Sequence, residues 1–122
     1  MEKDIDKIIN CAVVQMNSGE ALAENLRRAG ELVAEAAAAG AELVALPENF
    51  ARMRKNDREP VVGEPEEGPV QAWARKTAAA EGIYLLAGSF AEAAPHRSKV
   101  YNTSLLIDPQ GRLVAAYRKI HL

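Results

Sequence analysis

Glu42-Leu43-Val44-Ala45-Leu46-Pro47-Glu48-Asn49-Phe50 is the stretch on which the reading of this chain turns. Its four consecutive apolar residues, Leu43 to Leu46, predict a strand buried on both faces, as in a parallel sheet. Pro47 ends that strand, because proline has no N–H for the ladder and fixes its own φ. A carboxylate, Glu48, follows at once. Open α/β sheets bind their ligands at the carboxyl ends of strands, so Glu48 is a candidate functional group. A plainer role stands beside it: capping the strand or pairing with a surface arginine. The flanking sequence has to choose.

On the N-terminal side, Ile8 to Met16 is mostly apolar and β-branched and predicts a first strand. Residues 1–7 are charged and read as a solvated tail. Asn17 to Gly19 form a turn. Glu20 to Ala39 then read as a helix, with Leu22, Leu26, Ala29, Val33, Ala36 and Ala37 at helical spacing. Ser18 is its expected N-cap and Gly40 its C′ residue. Strand, helix and strand make a βαβ unit, so the first two strands should run parallel with a right-handed crossover. Cys11, the one cysteine, falls within the first strand. No basic residue stands beside it in sequence to favour a reactive thiolate, and it reads as a small buried hydrophobe.

On the C-terminal side, Ala51 to Gly68 is polar and holds Pro60, Gly63 and Pro65. It reads as a long loop with a short helical turn near Arg52 to Asn56. Pro69 to Glu81 predict a second helix, with proline in the first turn, Trp73 as a core anchor and Gly82 as the stop. Ile83 to Phe90 is a third strand, in which Gly88 marks the close approach of another backbone. Ala91 to Lys99 reads as a loop that leaves His96 exposed. Val100 to Ile107 and Arg112 to Tyr117 are strands. Asp108-Pro109-Gln110-Gly111 between them suits a type I turn, so the two strands form a hairpin. The fold class is α/β, with about five strands and two main helices.

Bulk properties exclude several functions. At 122 residues the chain has the size of one domain, and 48% hydrophobic with 26% charged residues is an ordinary globular composition. A net charge of −2, with no basic stripe carrying interleaved aromatics, gives no footprint for nucleic acid. One cysteine allows neither an intrachain disulfide nor a Cys-rich metal site, and His96 and His121 lack zinc-site spacing. Neither the apolar core of a signal peptide nor a run approaching the ~20 residues of a membrane span is present. A soluble, cytoplasmic protein is expected, with no membrane partner.

Two residues can carry chemistry: Glu48 and Lys119, each at or just past a strand end. A carboxylate in a dry pocket can serve as general base and then general acid. An ammonium beside it can stabilise an oxyanion. Taken alone, Lys119 also reads as a solvated base in an Arg-Lys pair. A nucleophile is missing, since neither Ser89 nor Ser104 sits on a G-x-S-x-G elbow. Glycine-rich phosphate loops are absent as well.

Three blocks carry a resemblance. They are Ala12-Val13-Val14-Gln15-Met16-Asn17; Leu43-Val44-Ala45-Leu46-Pro47-Glu48-Asn49-Phe50; and Tyr101-Asn102-Thr103-Ser104-Leu105 through Asp108-Pro109-Gln110-Gly111 to Tyr117-Arg118-Lys119-Ile120-His121-Leu122. In that order they resemble the N-terminal part of a carbon–nitrogen hydrolase of the nitrilase superfamily. The wording is most similar to the small-amide branch that includes deaminated-glutathione amidase and omega-amidase. The resemblance implies the first half of a four-layer αββα sandwich and a Glu–Lys–Cys triad. It assigns Glu48 as general base and acid and Lys119 as oxyanion stabiliser. The family's cysteine lies a few dozen residues beyond the lysine, so no nucleophile is expected in this chain, and Cys11 does not match that motif. The substrate implied is a small amide or nitrile, with no metal or organic cofactor, and with a homo-oligomer in the complete protein. Residues 1–122 alone are then a partial hydrolase domain, expected to be inactive. The alternative is a non-catalytic α/β half-domain that binds a small molecule or a partner at its strand ends.

Overall fold

The apolar periodicities divide the chain into alternating strands and helices, and a computed structural model gives their arrangement for residues 7–54, 63–65, 67–95 and 99–119. In order the elements are β1 (Cys11–Val13), α1 (Leu22–Ala38), β2 (Leu43–Ala45), α2 (Pro69–Glu81), β3 (Tyr84–Ala93), β4 (Val100–Ile107) and β5 (Leu113–Arg118). They form one sheet in the order β1-β2-β3-β4-β5. The pairs β1–β2 and β2–β3 are parallel and bridged by the helices; β3–β4 and β4–β5 are antiparallel. Among the described residues, no helix is long and apolar enough to cross a membrane.

Helices α1 and α2 cover one face of the sheet. Ala29 and Val33 of α1 and Val70, Ala74 and Ala78 of α2 are buried against Val44, Leu46, Leu85, Ala87, Leu105 and Ile107. The strand residues alternate in sequence, as one face of a pleated sheet requires. Alanine at the contact positions lets the helices lie close. Trp73 packs at the margin of this core, its ring centroid 5.7 Å from that of Phe50.

The intervening residues face the other way, where no described element covers them. Leu43 and Ala45 are therefore only half-buried, which corrects the expectation of a strand buried on both faces. Cys11 is exposed, not buried. It lies on the edge strand β1 in register with Leu43, and its neighbour on that face, Val13, is 86% exposed. The first strand is also shorter than expected, because its partner β2 offers only three ladder positions.

Local signals account for most element ends. Gly40 follows the α1 C-cap with φ +102°, and Gly82 caps α2 with φ +66°, conformations glycine adopts without a steric penalty. Pro69 opens α2, and the Glu64 carboxylate accepts the N–H groups of Val70 and Gln71. Burial pushes the Glu64 carboxyl up, against the pull of those donors. Ser18 does not cap α1; its Oγ donates to the Phe50 carbonyl at 2.7 Å. In the hairpin turn the Gly111 N–H donates to the Asp108 carbonyl at 2.9 Å. The Asp108 carboxylate accepts N–H bonds from Arg112 and Gln110 and the Arg112 guanidinium, which hold its carboxyl below the ordinary range. Strand β3 runs on to Ala93, so the loop expected from Ala91 is shorter. The tail through residue 6, the centre of the 51–68 loop including Pro60, His96, and Ile120 to Leu122 lie outside the described residues.

Candidate active site

Glu48 owes its place to an irregularity in β3. Between Ala87 and Phe90 the β3–β4 register shifts, with one extra residue on β3 at Gly88 and Ser89. The β2 chain leaves the ladder here, the Leu46 N–H still donating to Leu86 at 2.9 Å. It then passes so close to Gly88 that a Cβ there would sit 2.0 Å from the Pro47 carbonyl oxygen. This is the backbone approach expected at Gly88. Ser89 Oγ accepts the Asn49 N–H at 3.2 Å, which occupies it with the turn. Asn49 adopts φ 55°, a left-handed conformation that asparagine tolerates better than most residues. Beyond it, buried Asn25 of α1 donates to the Ala51 carbonyl at 2.8 Å and exchanges hydrogen bonds with Gly19. The turn bearing Glu48 is thus fastened to both the sheet and α1.

Lys119 arrives from the other direction. Its main-chain N–H donates to the Asn102 carbonyl at 2.9 Å, extending the β4–β5 ladder by one bond. The preceding residue, Arg118, faces the helix side, where its Nε donates to buried Glu92 at 2.6 Å and its guanidinium lies 5.2 Å from the Tyr101 ring centroid. Glu92 also accepts from Thr103 Oγ1 at 3.1 Å. This cluster ties β3, β4 and β5 together directly beneath Lys119.

The result is that Glu48 and Lys119, remote in sequence, converge on the uncovered face. Lys119 Nζ lies 3.9 Å from Glu48 Oε1, and Asn102 Nδ2 donates to the same oxygen at 3.1 Å. With Gly88, Ser89, Ser104 and Tyr117 they line a concavity of about 290 Å³. The side chains of Glu48 and Lys119 are 58% and 48% exposed. An ion pair so open to water contributes at most ~1 kcal/mol to stability, so strengthening the fold is a weak reason for bringing these charges together. The carboxylate is a proton acceptor and the ammonium a donor to developing negative charge, with room for a small ligand between them and Tyr117. Cys11 is not among the lining residues.

Asn102, Asn25 and Glu92 were not singled out as functional from sequence. Asn25 had a signal: it falls on the inward face of α1, between Leu22 and Ala29, where a polar residue needs partners. Asn102 stood within a block that carries the resemblance, but with no role attached, and Glu92 gave no signal, because their partners lie far away in sequence.

The family described as carbon-nitrogen hydrolase matches residues 10–122. The chain belongs to that family, within the nitrilase superfamily. It is 39% identical over 116 residues to a deaminated glutathione amidase of Synechocystis, covering 91% of this chain and 41% of the relative. It is 40% identical over 111 residues to omega-amidase NIT2 of Danio rerio, covering 91% and 39%. Among solved structures, Saccharomyces cerevisiae Nit3, a member of branch 10 of the nitrilase superfamily, superposes with a TM-score of 0.79 at 30% identity, covering 93% of this chain and 45% of that one. The chain thus spans about two-fifths of the length of these curated relatives.

Proposed function

We propose that this chain is the N-terminal part of a thiol amidase that hydrolyses small amides to acid and ammonia, and that it is inactive alone. The observation that carries the reading is the convergence of Glu48 and Lys119 within 3.9 Å on the sheet face that no described element covers. In this reading a cysteine thiolate, supplied from sequence beyond residue 122, attacks the amide carbon. Glu48 takes the thiol proton and delivers it to the departing ammonia. Lys119 stabilises the tetrahedral oxyanion, together with a backbone N–H near the cysteine. Glu48 then activates the water that hydrolyses the thioester. The exposure of both side chains supports a second layer over this face, since these groups work best with water excluded. The names of the relatives favour an amide of the ω-amide or deaminated-glutathione kind over a nitrile. A homo-oligomer of the complete protein and a cytoplasmic location belong to the same proposal.

The test is ammonia release from a short ω-amide, measured for the 122-residue chain and for the chain extended through any continuing reading frame. The extended protein should turn over and the short chain should not. Turnover by the short chain would overturn the claim that it is inactive alone, and a frame that closes at Leu122 would favour the non-catalytic half-domain instead.

A further inference from the structure

We propose that Asn102 is the positioning residue of the Glu48–Lys119 pair, holding the carboxylate by its side-chain amide and the lysine by its main-chain carbonyl. The inference rests on the catalytic reading of Glu48 and Lys119 given above. Asn102 stands on β4 in register with Ala91, on the uncovered face. Its Nδ2 donates to Glu48 Oε1 at 3.1 Å, and its carbonyl accepts the Lys119 N–H at 2.9 Å. One residue therefore sets both ends of the 3.9 Å gap between Oε1 and Nζ.

The chemistry of the contact suits a proton carrier. Amide and ammonium both approach Oε1, which leaves Oε2 as the oxygen that gains and loses the proton. When Oε2 is protonated, Oε1 becomes a carbonyl-type oxygen and still accepts from Nδ2. The hydrogen bond therefore survives both halves of the proton transfer, and the carboxyl keeps its orientation throughout. A neutral amide does this without adding charge or competing for the proton.

A structural role accounts poorly for the same residue. Asn102 Oδ1 is buried and has no hydrogen-bond partner among the described residues. Leaving an acceptor in that state is unfavourable, and a threonine or an apolar residue would hold the strand without it. Among the described residues, the one side-chain hydrogen bond of Asn102 is the bond to Glu48.

The experiment is steady-state kinetics of the extended, amide-hydrolysing protein, with urea unfolding as a check on folding. Asn102→Ala should lower kcat by about 10- to 100-fold, the scale of a displaced catalytic group. KM should change by less than about 2-fold, since uniform binding is untouched. In a Glu48→Asp background, where the carboxylate is already withdrawn from the amide, the same change should cost less than about 3-fold, because contacting residues are not additive. Asn102→Asp matches the shape without the donor and should reproduce the kcat loss if the alanine variant fails to fold. Wild-type kcat, or a loss that is the same in both backgrounds, overturns the inference. Glu48→Gln separates it from the reading beneath it. An active Glu48→Gln protein overturns the catalytic reading and the inference with it. An inactive one beside an unimpaired Asn102→Ala overturns the inference alone.

Discussion

The two faces of this sheet are made by the same strands from alternating residues, yet they differ in almost every property. On the helix side Val44, Leu85, Ala87, Leu105 and Ile107 are no more than 2% exposed. On the other side Leu43, Ala45, Leu86 and Leu106 are only partly buried, and Glu48, Asn102, Ser104 and Lys119 are gathered at one end. The first face holds the fold together, and the second carries the groups capable of chemistry. An apolar sheet face with polar groups at its rim has the character of a surface that another layer covers. The two sets of residues should therefore respond to substitution in separable ways.

The largest effects should fall on activity and leave stability alone. In the extended protein, Glu48→Gln or Lys119→Ala should lower kcat by about 10²- to 10⁴-fold, while the thermal midpoint stays near wild type. Near-normal turnover would remove the role assigned to that residue; a collapsed midpoint would remove the separation of the faces. On the covered face, Leu85→Ala should cost ~2–5 kcal/mol in urea unfolding, through lost burial and the cavity left behind. Gly88→Ala touches both faces. Its new Cβ would meet the Pro47 carbonyl, so a loss of ~1–3 kcal/mol is expected together with displacement of the Glu48 turn. A fully stable, fully active Gly88→Ala would show that the close approach has no bearing on the site.

Smaller effects follow. Asp108 has a depressed folded-state pKa, so its contribution is complete above the ordinary aspartate range and is lost as pH falls through the depressed value. Wild type should then exceed Asp108→Ala in stability at neutral pH, and the gap should close on acidification in a series of urea melts. Least of all, Val13→Ala and Cys11→Ser on the uncovered face of the 122-residue chain should change stability by no more than ~0.5 kcal/mol. Cys11 should react with a thiol reagent without unfolding. A protected thiol, or a Val13→Ala cost matching that of Leu85→Ala, would mean that the second face is covered after all.

Much of this was legible in the sequence wherever the signal is local. Pro69 and Gly82 bracket α2 at Pro69–Glu81 because the proline and the glycine act on their own backbone. The Asp108 to Gly111 turn closes as its side chains dictate. Glu48 was visible because Pro47 stops an apolar strand directly before it. The misreadings were non-local. Cys11 looks like a core residue because apolarity says that a face wants covering, not whether the same chain covers it. Ser18 had a cap to make and found the Phe50 carbonyl instead. Asn102 reads as one polar letter in a strand until folding brings Glu48 beside it.

The irregularity at Gly88 and Ser89 has a consequence for the whole second half of the sheet. Before it, odd-numbered β3 residues, Leu85 and Ala87, point to the helices; after it, even-numbered ones do, Phe90 into the core and Glu92 to Arg118. The extra residue works as a change of phase in the pleat. Regular pleating through both Gly88 and Ser89 would turn Phe90 out of the core and carry Glu92 away from Arg118; with the two sharing one position, both stay on the helix side. Chain length at this point is therefore itself a specification. A one-residue deletion in the hairpin turn shortens a loop; the same deletion here would straighten β3 beside the Glu48 turn and leave Phe90 and Glu92 facing the helices.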